Sequence, residues 1–417
     1  MRVGAGRADI TPSYDVELSG YVKREQPALG VADRIIVRVA VFEAGEGRVA
    51  VVSLDLLELP RDLADELRTI AASVIGVAPE SVCVACTHTH SAPAVYPLYK
   101  CGELSAPFVA QLRGHLRHAA EAAMRTLRPA RLGWQHAPLR LSANRRGAQR
   151  ADQGGPTGIE PADDTLRCLA AFDESDRSVC LLLNYACHPV CLDHTNRSIS
   201  GDFPGAACNE LERQLGGDAV VMFLNGCAGD LNPFDEYRGT PGAMKRAADR
   251  VVQSATGMLP EARQRATDDQ NHVSAIYNIV RLNYAPVDEI PWLQRLEGLA
   301  PGPKRHFVLH FLEQHRAGAY PLFMPVAVQI LRIGPLRMSA MSGEIFFELG
   351  RQIQIAARDE NLWLVGYANG GQGYIPTRAA HHEGGYEPNS SNWYYLRPPL
   401  APGTGEQLAD AVVHLLK

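Results

Sequence analysis

The chain has 417 residues, 46% of them hydrophobic and 21% charged, and a formal net charge of −5 at pH 7. That balance supplies a large buried core and excludes disordered, collagen-like and coiled-coil chains. The negative charge offers no general attraction to nucleic acid or to an anionic membrane surface, so neither is expected as a partner.

The amino-terminal segment Met1-Arg2-Val3-Gly4-Ala5-Gly6-Arg7 is charged at once and lacks a signal-peptide apolar stretch. No apolar run approaches the roughly 18 residues that span a bilayer. Nine cysteines are scattered, often within apolar runs, which suits reduced, buried thiols. The expectation is a cytoplasmic protein with no integral membrane segment. Formation of a homo-oligomer stays open.

In chain order, Ile35–Phe42 and Val49–Leu54 read as strands joined by a Gly45-Glu46-Gly47 turn. A helix over 61–75, a strand over 81–86 and a helix over about 107–127 follow. Further strands are expected near 166–172, 179–187, 219–224, 274–284, 325–334 and 362–366. Helices are expected near 204–215, 242–257, 345–358 and 405–416. The order predicts an α/β fold, a mixed-sheet α/β sandwich, with residues 1–417 forming one large catalytic body. Segments 143–164, 299–305 and 367–401 read as long loops, which in such bodies often carry function.

The sharpest chemical signal is Cys86-Thr87-His88-Thr89-His90-Ser91-Ala92-Pro93, directly after an apolar strand. On an extended segment positions i and i+2 face the same way, so His88 and His90 are expected to share one cavity. A second strand-end histidine is His188, in Asn184-Tyr185-Ala186-Cys187-His188-Pro189. Glu344 closes the apolar stretch Met338–Gly343 just before a helix. A carboxylate with two imidazoles makes a zinc site that keeps one position open for water. The bland readings are polar strand ends and a helix first-turn acid.

Other patterns are weaker. Cys83 and Cys86 face opposite sides of a strand and read as packing, as do Cys187 and Cys191. Gly4-Ala5-Gly6 has no helix pattern behind it and is no dinucleotide fingerprint. His381-His382-Glu383 reads as an exposed polar loop. Asn144-Arg145-Arg146 reads either as a solvated loop or as a guanidinium fork aimed at an oxyanion or carboxylate.

Taken together these pieces resemble the catalytic domain of the neutral (non-lysosomal) ceramidase family. Thr87–Pro93 is similar to its THTHSGP-type segment, Asn144-Arg145 to the start of its NRSP-type segment, and Ser200-Gly201-Asp202 to its SGD. Gly343-Glu344 matches a GE before a helix. Ala368–Ile375, with Tyr386-Glu387 beyond it, is similar to its asparagine-and-tyrosine loop. The resemblance implies Zn2+ held by His88, His188, Glu344 and Tyr374, with His90, Arg145 and Tyr386 around the scissile amide. His90 stands outside the ligand set as a general acid for the leaving amine, and Arg145 and Tyr386 as holders of the oxyanion.

The chain departs from the family at Ala92, at Arg146 and at Pro189, and no residues follow for the family's C-terminal immunoglobulin-like domain. These departures point to a small-molecule N-acyl substrate that is smaller or more polar than ceramide. Zinc-dependent ester or lactone hydrolysis is the alternative within enzymes. A non-catalytic binding protein stapled by metal is the alternative outside them.

Overall fold

The structure, a computed structural model, describes residues 1–147, 162–267, 272–286, 299–359 and 362–417. The middle of the expected 143–164 loop therefore lies outside the described residues. Eight strands build the main sheet: β1 (Arg2–Asp9), β2 (Ile36–Ala44), β3 (Gly47–Leu54), β4 (Val82–Cys86), β5 (Arg128–Pro138), β6 (Thr165–Asp173), β7 (Ser178–Tyr185) and β8 (Val220–Asn225). Their order is β8-β7-β6-β5-β1-β2-β3-β4. Only the outermost pairs, β8 with β7 and β3 with β4, run parallel; the inner pairings are antiparallel.

A second sheet holds β9 (Val273–Asn283), β10 (Phe323–Ile333), β11 (Leu336–Met341) and β12 (Leu362–Val365), in sequence order. Val3, Phe42, Val51, Leu182, Leu331 and Met338 belong to the core between the two sheets. Helices α1 (Arg61–Ile75) and α2 (Ala106–Arg125) cover part of the main sheet, and α3 (Asp202–Leu215) and α4 (Pro241–Gln264) another part. Helices α5 (Pro303–Arg316), α6 (Phe347–Ala357), α7 (Arg378–Glu383), α8 (Asn392–Tyr395) and α9 (Thr404–Leu416) follow, with α6 and α9 on the outer face of the second sheet. The molecule is thus the mixed α/β sandwich expected.

The main sheet curls, so its two edge strands face each other although no ladder joins them. Ser53 Oγ donates to the Phe223 carbonyl at 2.8 Å, and Asn225 Nδ2 donates to the Thr87 carbonyl at 3.1 Å. Segments leaving the two parallel pairs therefore converge, at the carboxyl ends where α/β folds gather ligands.

The glycines of β1 have a packing role. A Cβ on Gly4 or Gly6 would fall 2.1 or 2.3 Å from the carbonyls of Ala123 or Ala119, so only glycine admits α2 this close. Strands β1, β5 and β11 and helix α5 were not among the expected elements. Segment 367–401 is not structureless either: it holds a short strand at Tyr374–Ile375, then α7, a π-turn over Tyr386–Ser390 and α8. His381-His382-Glu383 lies on α7, which Thr377 caps, rather than in a loop. Only His382 and Glu383 are exposed, and Glu383 pairs with Arg146 at 3.0 Å. All nine cysteines are free and buried, as the sequence suggests. Among the described residues no helix is long and apolar enough to cross a membrane.

Candidate metal centre

β4 ends at Cys86, and the chain then turns sharply. Thr87 and His88 donate their backbone N–H groups to the carbonyls of Leu54 and Leu56, both at 2.9 Å. His88 has φ +74°, a left-handed conformation that is strained for a non-glycine residue. His88 and His90 do share one cavity, with ring centroids 5.0 Å apart, but this turn brings them together rather than strand alternation. From the other parallel pair, His188 follows β7 and donates its N–H to the Leu231 carbonyl at 3.0 Å. Asp202 accepts from the backbone N–H groups of Leu192 and Phe203 and fixes the turn behind His188. Thr89 Oγ1 donates to the Ser200 carbonyl at 2.8 Å, tying the two histidine segments together.

Both buried histidines are set in the same way. Nδ1 of His88 lies 2.8 Å from the Leu57 carbonyl, and Nδ1 of His188 lies 2.7 Å from the Ala228 carbonyl. A carbonyl can only accept, so each Nδ1 carries a proton, and in the neutral ring the lone pair is then on Nε2. The two Nε2 atoms face Glu344 Oε2 at 3.2 and 3.0 Å. With the rings neutral these three buried atoms are all acceptors, and no other donor reaches them among the described residues. Atoms about 2.0–2.1 Å from a tetrahedral ion stand about 3.3 Å from one another. Spacing and lone pairs therefore fit a divalent cation between them.

Electrostatics agree. Burial, opposed by Glu344 and helped by Arg145, brings the His188 imidazole down to about 4, leaving it neutral at pH 7. Burial works to raise the Glu344 carboxyl, but contact with His88 and His188 outweighs it, and the group stays well below the usual carboxylate range. An anionic Glu344 and a neutral His188 are suitable donors for such an ion.

Tyr374 lies beside this set. Its two-residue strand pairs in parallel register with Glu344–Ile345, and its ring stacks on His188 at 6.3 Å. Burial, then the Glu344 charge, holds its hydroxyl well above the ordinary phenol value, against the pull of Arg145. Tyr386 packs on the outer side of Tyr374 at 5.6 Å and is 39% exposed.

His90 is placed differently. Both ring nitrogens are buried without a hydrogen-bond partner among the described residues, and its donor atoms lie within the same 4.8 Å cluster as those of His88 and His188. Gly20 presses on its ring, where a Cβ would sit 2.5 Å from Nδ1. Arg24 donates to the His90 carbonyl at 2.8 Å. Burial, then His88 and His188, holds the His90 imidazole well below its usual range.

The Arg145 fork does grip a carboxylate, but one belonging to the protein. Its Nε meets Glu387 at 2.7 Å, Nη2 meets the Gly229 carbonyl at 2.7 Å, and Nη1 meets Asn232 at 3.3 Å. Arg146 takes the other oxygen of the fully buried Glu387 at 2.7 Å. The Arg145 guanidinium then lies 5.4 Å from the Tyr374 ring centre.

Two residues beside Glu344, one buried and one half-buried, escaped the sequence reading. Tyr395 donates to Glu344 Oε1 at 2.7 Å. Glu58, just past the end of β3, is fully buried, and burial followed by the Glu344 charge pushes its carboxyl up to about 8. The strand-end rule that singled out His88 and His188 would have found Glu58 had it been applied to β3. Tyr395 had no such signal.

The family model for neutral/alkaline non-lysosomal ceramidase, N-terminal, matches residues 1–252, more than half of the chain. The chain belongs to the neutral ceramidase family. Membership puts it among amide-bond hydrolases. The neutral ceramidase of Mycobacterium tuberculosis (H37Rv) is 23% identical over 94% of this chain and 74% of its own length. That of Pseudomonas aeruginosa is 28% identical over 65% of this chain, and that of Drosophila melanogaster 26% over 56%. Those two matches span only 43% and 36% of the relatives' lengths. Among solved structures, the P. aeruginosa neutral ceramidase superposes with a TM-score of 0.76 at 21% identity, covering all of this chain and 74% of that one. A ceramidase complexed with C2 superposes with a TM-score of 0.79 at 20% identity. These two likenesses are of fold.

Proposed function

We propose that the protein is a zinc-dependent amidase that cleaves the N-acyl bond of a small or polar substrate with water. The observation that carries this reading is the meeting of His88 Nε2, His188 Nε2 and Glu344 Oε2 within 3.0–3.2 Å without a donor among them. His88, His188, Glu344 and Tyr374 would hold the ion. Zinc, when bound, supplies a Lewis acid for the carbonyl and lowers the pKa of water from about 15.7 to near 7.

The remaining work belongs to the chain. His90, neutral and with both nitrogens unpartnered, accepts the proton of the attacking water. It then delivers that proton to the departing nitrogen as the C–N bond breaks, giving a carboxylic acid and an amine. The Tyr386 hydroxyl, a phenol and so protonated at pH 7, donates to the carbonyl oxygen as charge builds there. One such donor is typically worth about 3–4 kcal/mol. Arg145 spends three of its five N–H groups on Glu387, Asn232 and the Gly229 carbonyl and is also hydrogen-bonded to Tyr374, so its charge acts through that phenol and beside Tyr386.

The test measures bound zinc and turnover of N-acyl substrates of graded length in the unaltered chain, His88→Ala and His90→Ala. The unaltered chain should bind one zinc and prefer short or polar acyl groups. His88→Ala should lose zinc. His90→Ala should keep it and lose about 10²–10⁴-fold in turnover. Amide hydrolysis by His90→Ala at the unaltered rate would overturn the proton-transfer role, and hydrolysis of esters alone would overturn the amidase reading.

A further inference from the structure

The two oxygens of Glu344 have different neighbours. Oε2 faces the imidazoles of His188 and His88 at 3.0 and 3.2 Å, while Oε1 accepts the Tyr395 hydroxyl at 2.7 Å. A free carboxylate could turn both oxygens toward a cation and take the position that a water needs. Here one oxygen is already engaged from behind.

The clamp is built into the fold. Tyr395 closes the short helix α8, and its ring is boxed by Tyr96 edge-on at 5.7 Å, Tyr374 at 6.4 Å and the Arg397 guanidinium at 5.9 Å. Gly373 closes the remaining side. It has φ +76°, and a Cβ there would lie 2.9–3.1 Å from three carbons of the Tyr395 ring. The carbonyl of the same glycine accepts the Glu344 backbone N–H at 2.9 Å. One residue thus fixes Glu344 twice: its carbonyl holds the main chain, and its missing side chain admits the ring that holds the carboxylate. Glu58 also lies near this tyrosine, so Tyr395 is a phenol between two acidic groups and serves as donor.

We propose that Tyr395 is a positioning residue of the metal centre, its hydroxyl clamping Glu344 so that one carboxylate oxygen is offered to a divalent cation and the other withheld. Partners of this kind orient metal ligands, and their loss typically weakens metal affinity by about 10–100-fold. The inference rests on the metal-centre reading above.

The experiment uses the full chain and Tyr395→Phe, which keeps the ring and removes only the hydroxyl. Zinc affinity at pH 7.5 is read by competition with a chromophoric chelator, and the visible spectrum of the cobalt(II)-loaded chain reports how many ligand atoms the ion has, with circular dichroism as the check on folding. The expected result is a folded variant whose zinc affinity falls about 10–100-fold and whose cobalt absorption weakens as the released second oxygen joins the ion. Unchanged affinity and spectrum in Tyr395→Phe, beside normal zinc binding by the unaltered chain, would overturn this inference alone. Weaker binding with an unchanged cobalt spectrum would indicate a loosened pocket and also count against it. Failure of the unaltered chain to bind zinc would overturn both this inference and the reading beneath it.

Discussion

His88 and His188 each spend Nδ1 on a backbone carbonyl, whereas His90 has neither nitrogen engaged. The first arrangement suits a ligand, whose tautomer must be fixed; the second suits a group that takes up and gives back a proton. Holding His188 neutral has a thermodynamic consequence. Its imidazole is brought from 6.5 to about 4 by burial, while the unfolded chain returns to 6.5. A group depressed in the folded state contributes stability that is full above pH 6.5 and lost as pH falls toward 4, because the unfolded chain binds the proton first. Across that window one such histidine is worth about 3 kcal/mol. Urea unfolding of the metal-free chain from pH 7.5 to 4 should show that loss, and His188→Asn should flatten the profile. Equal acid sensitivity in the two chains would contradict it. At this scale the sequence revealed what strand ends reveal: His88, His90, His188 and the helix-flanking Glu344. Tyr395 was hidden because its importance lies in a contact across 51 positions, with no periodicity to announce it.

In the run Gly370-Gly371-Gln372-Gly373, Gly370 and Gly373 sit at positive φ, while Gly371 answers to its neighbours. A Cβ on Gly371 would fall 1.6 Å from Glu58 Cδ, and this segment donates the Gly371 N–H to the Leu59 carbonyl at 2.6 Å. Gly371→Ala should therefore destabilise by about 1–3 kcal/mol, the usual cost of overpacking. Glu58→Ala in the same chain should recover much of that loss, measured by urea unfolding of the single and double variants. Simple additivity would count against the clash. The same kind of contact explains why certain elements were missed. β1 reads as a glycine-rich tail because Gly4 and Gly6 make way for α2, and β5 carries Gly133 where a Cβ would lie 1.9 Å from the Ala262 carbonyl of α4. Helix α5 (Pro303–Arg316) is crowded with histidine and arginine and buries only a few residues, among them Phe307, Val308, Phe311 and Leu312, so its periodicity is faint. Strongly patterned elements fall where expected: α1 because burial on one face sets its period, and β7 because burial on both faces makes it a continuous apolar run.

At the scale of the molecule, the centre exists because a curled sheet carries its two parallel edges to the same place. His88 leaves one edge pair and His188 the other, and the second sheet delivers Glu344 just after β11. Sequence periodicity fixed the layers but not this closure, since curling leaves no mark in any one strand. The central claim is that four side chains from these distant segments, His88, His188, Glu344 and Tyr374, share one zinc while His90 stands aside. Zinc-edge X-ray absorption on the loaded chain tests it most directly. The account predicts protein ligands that are all nitrogen or oxygen near 2.0–2.1 Å, with scattering from two imidazoles and the same spectrum in His90→Ala. A sulfur ligand near 2.3 Å, or a third imidazole that disappears in His90→Ala, would contradict it.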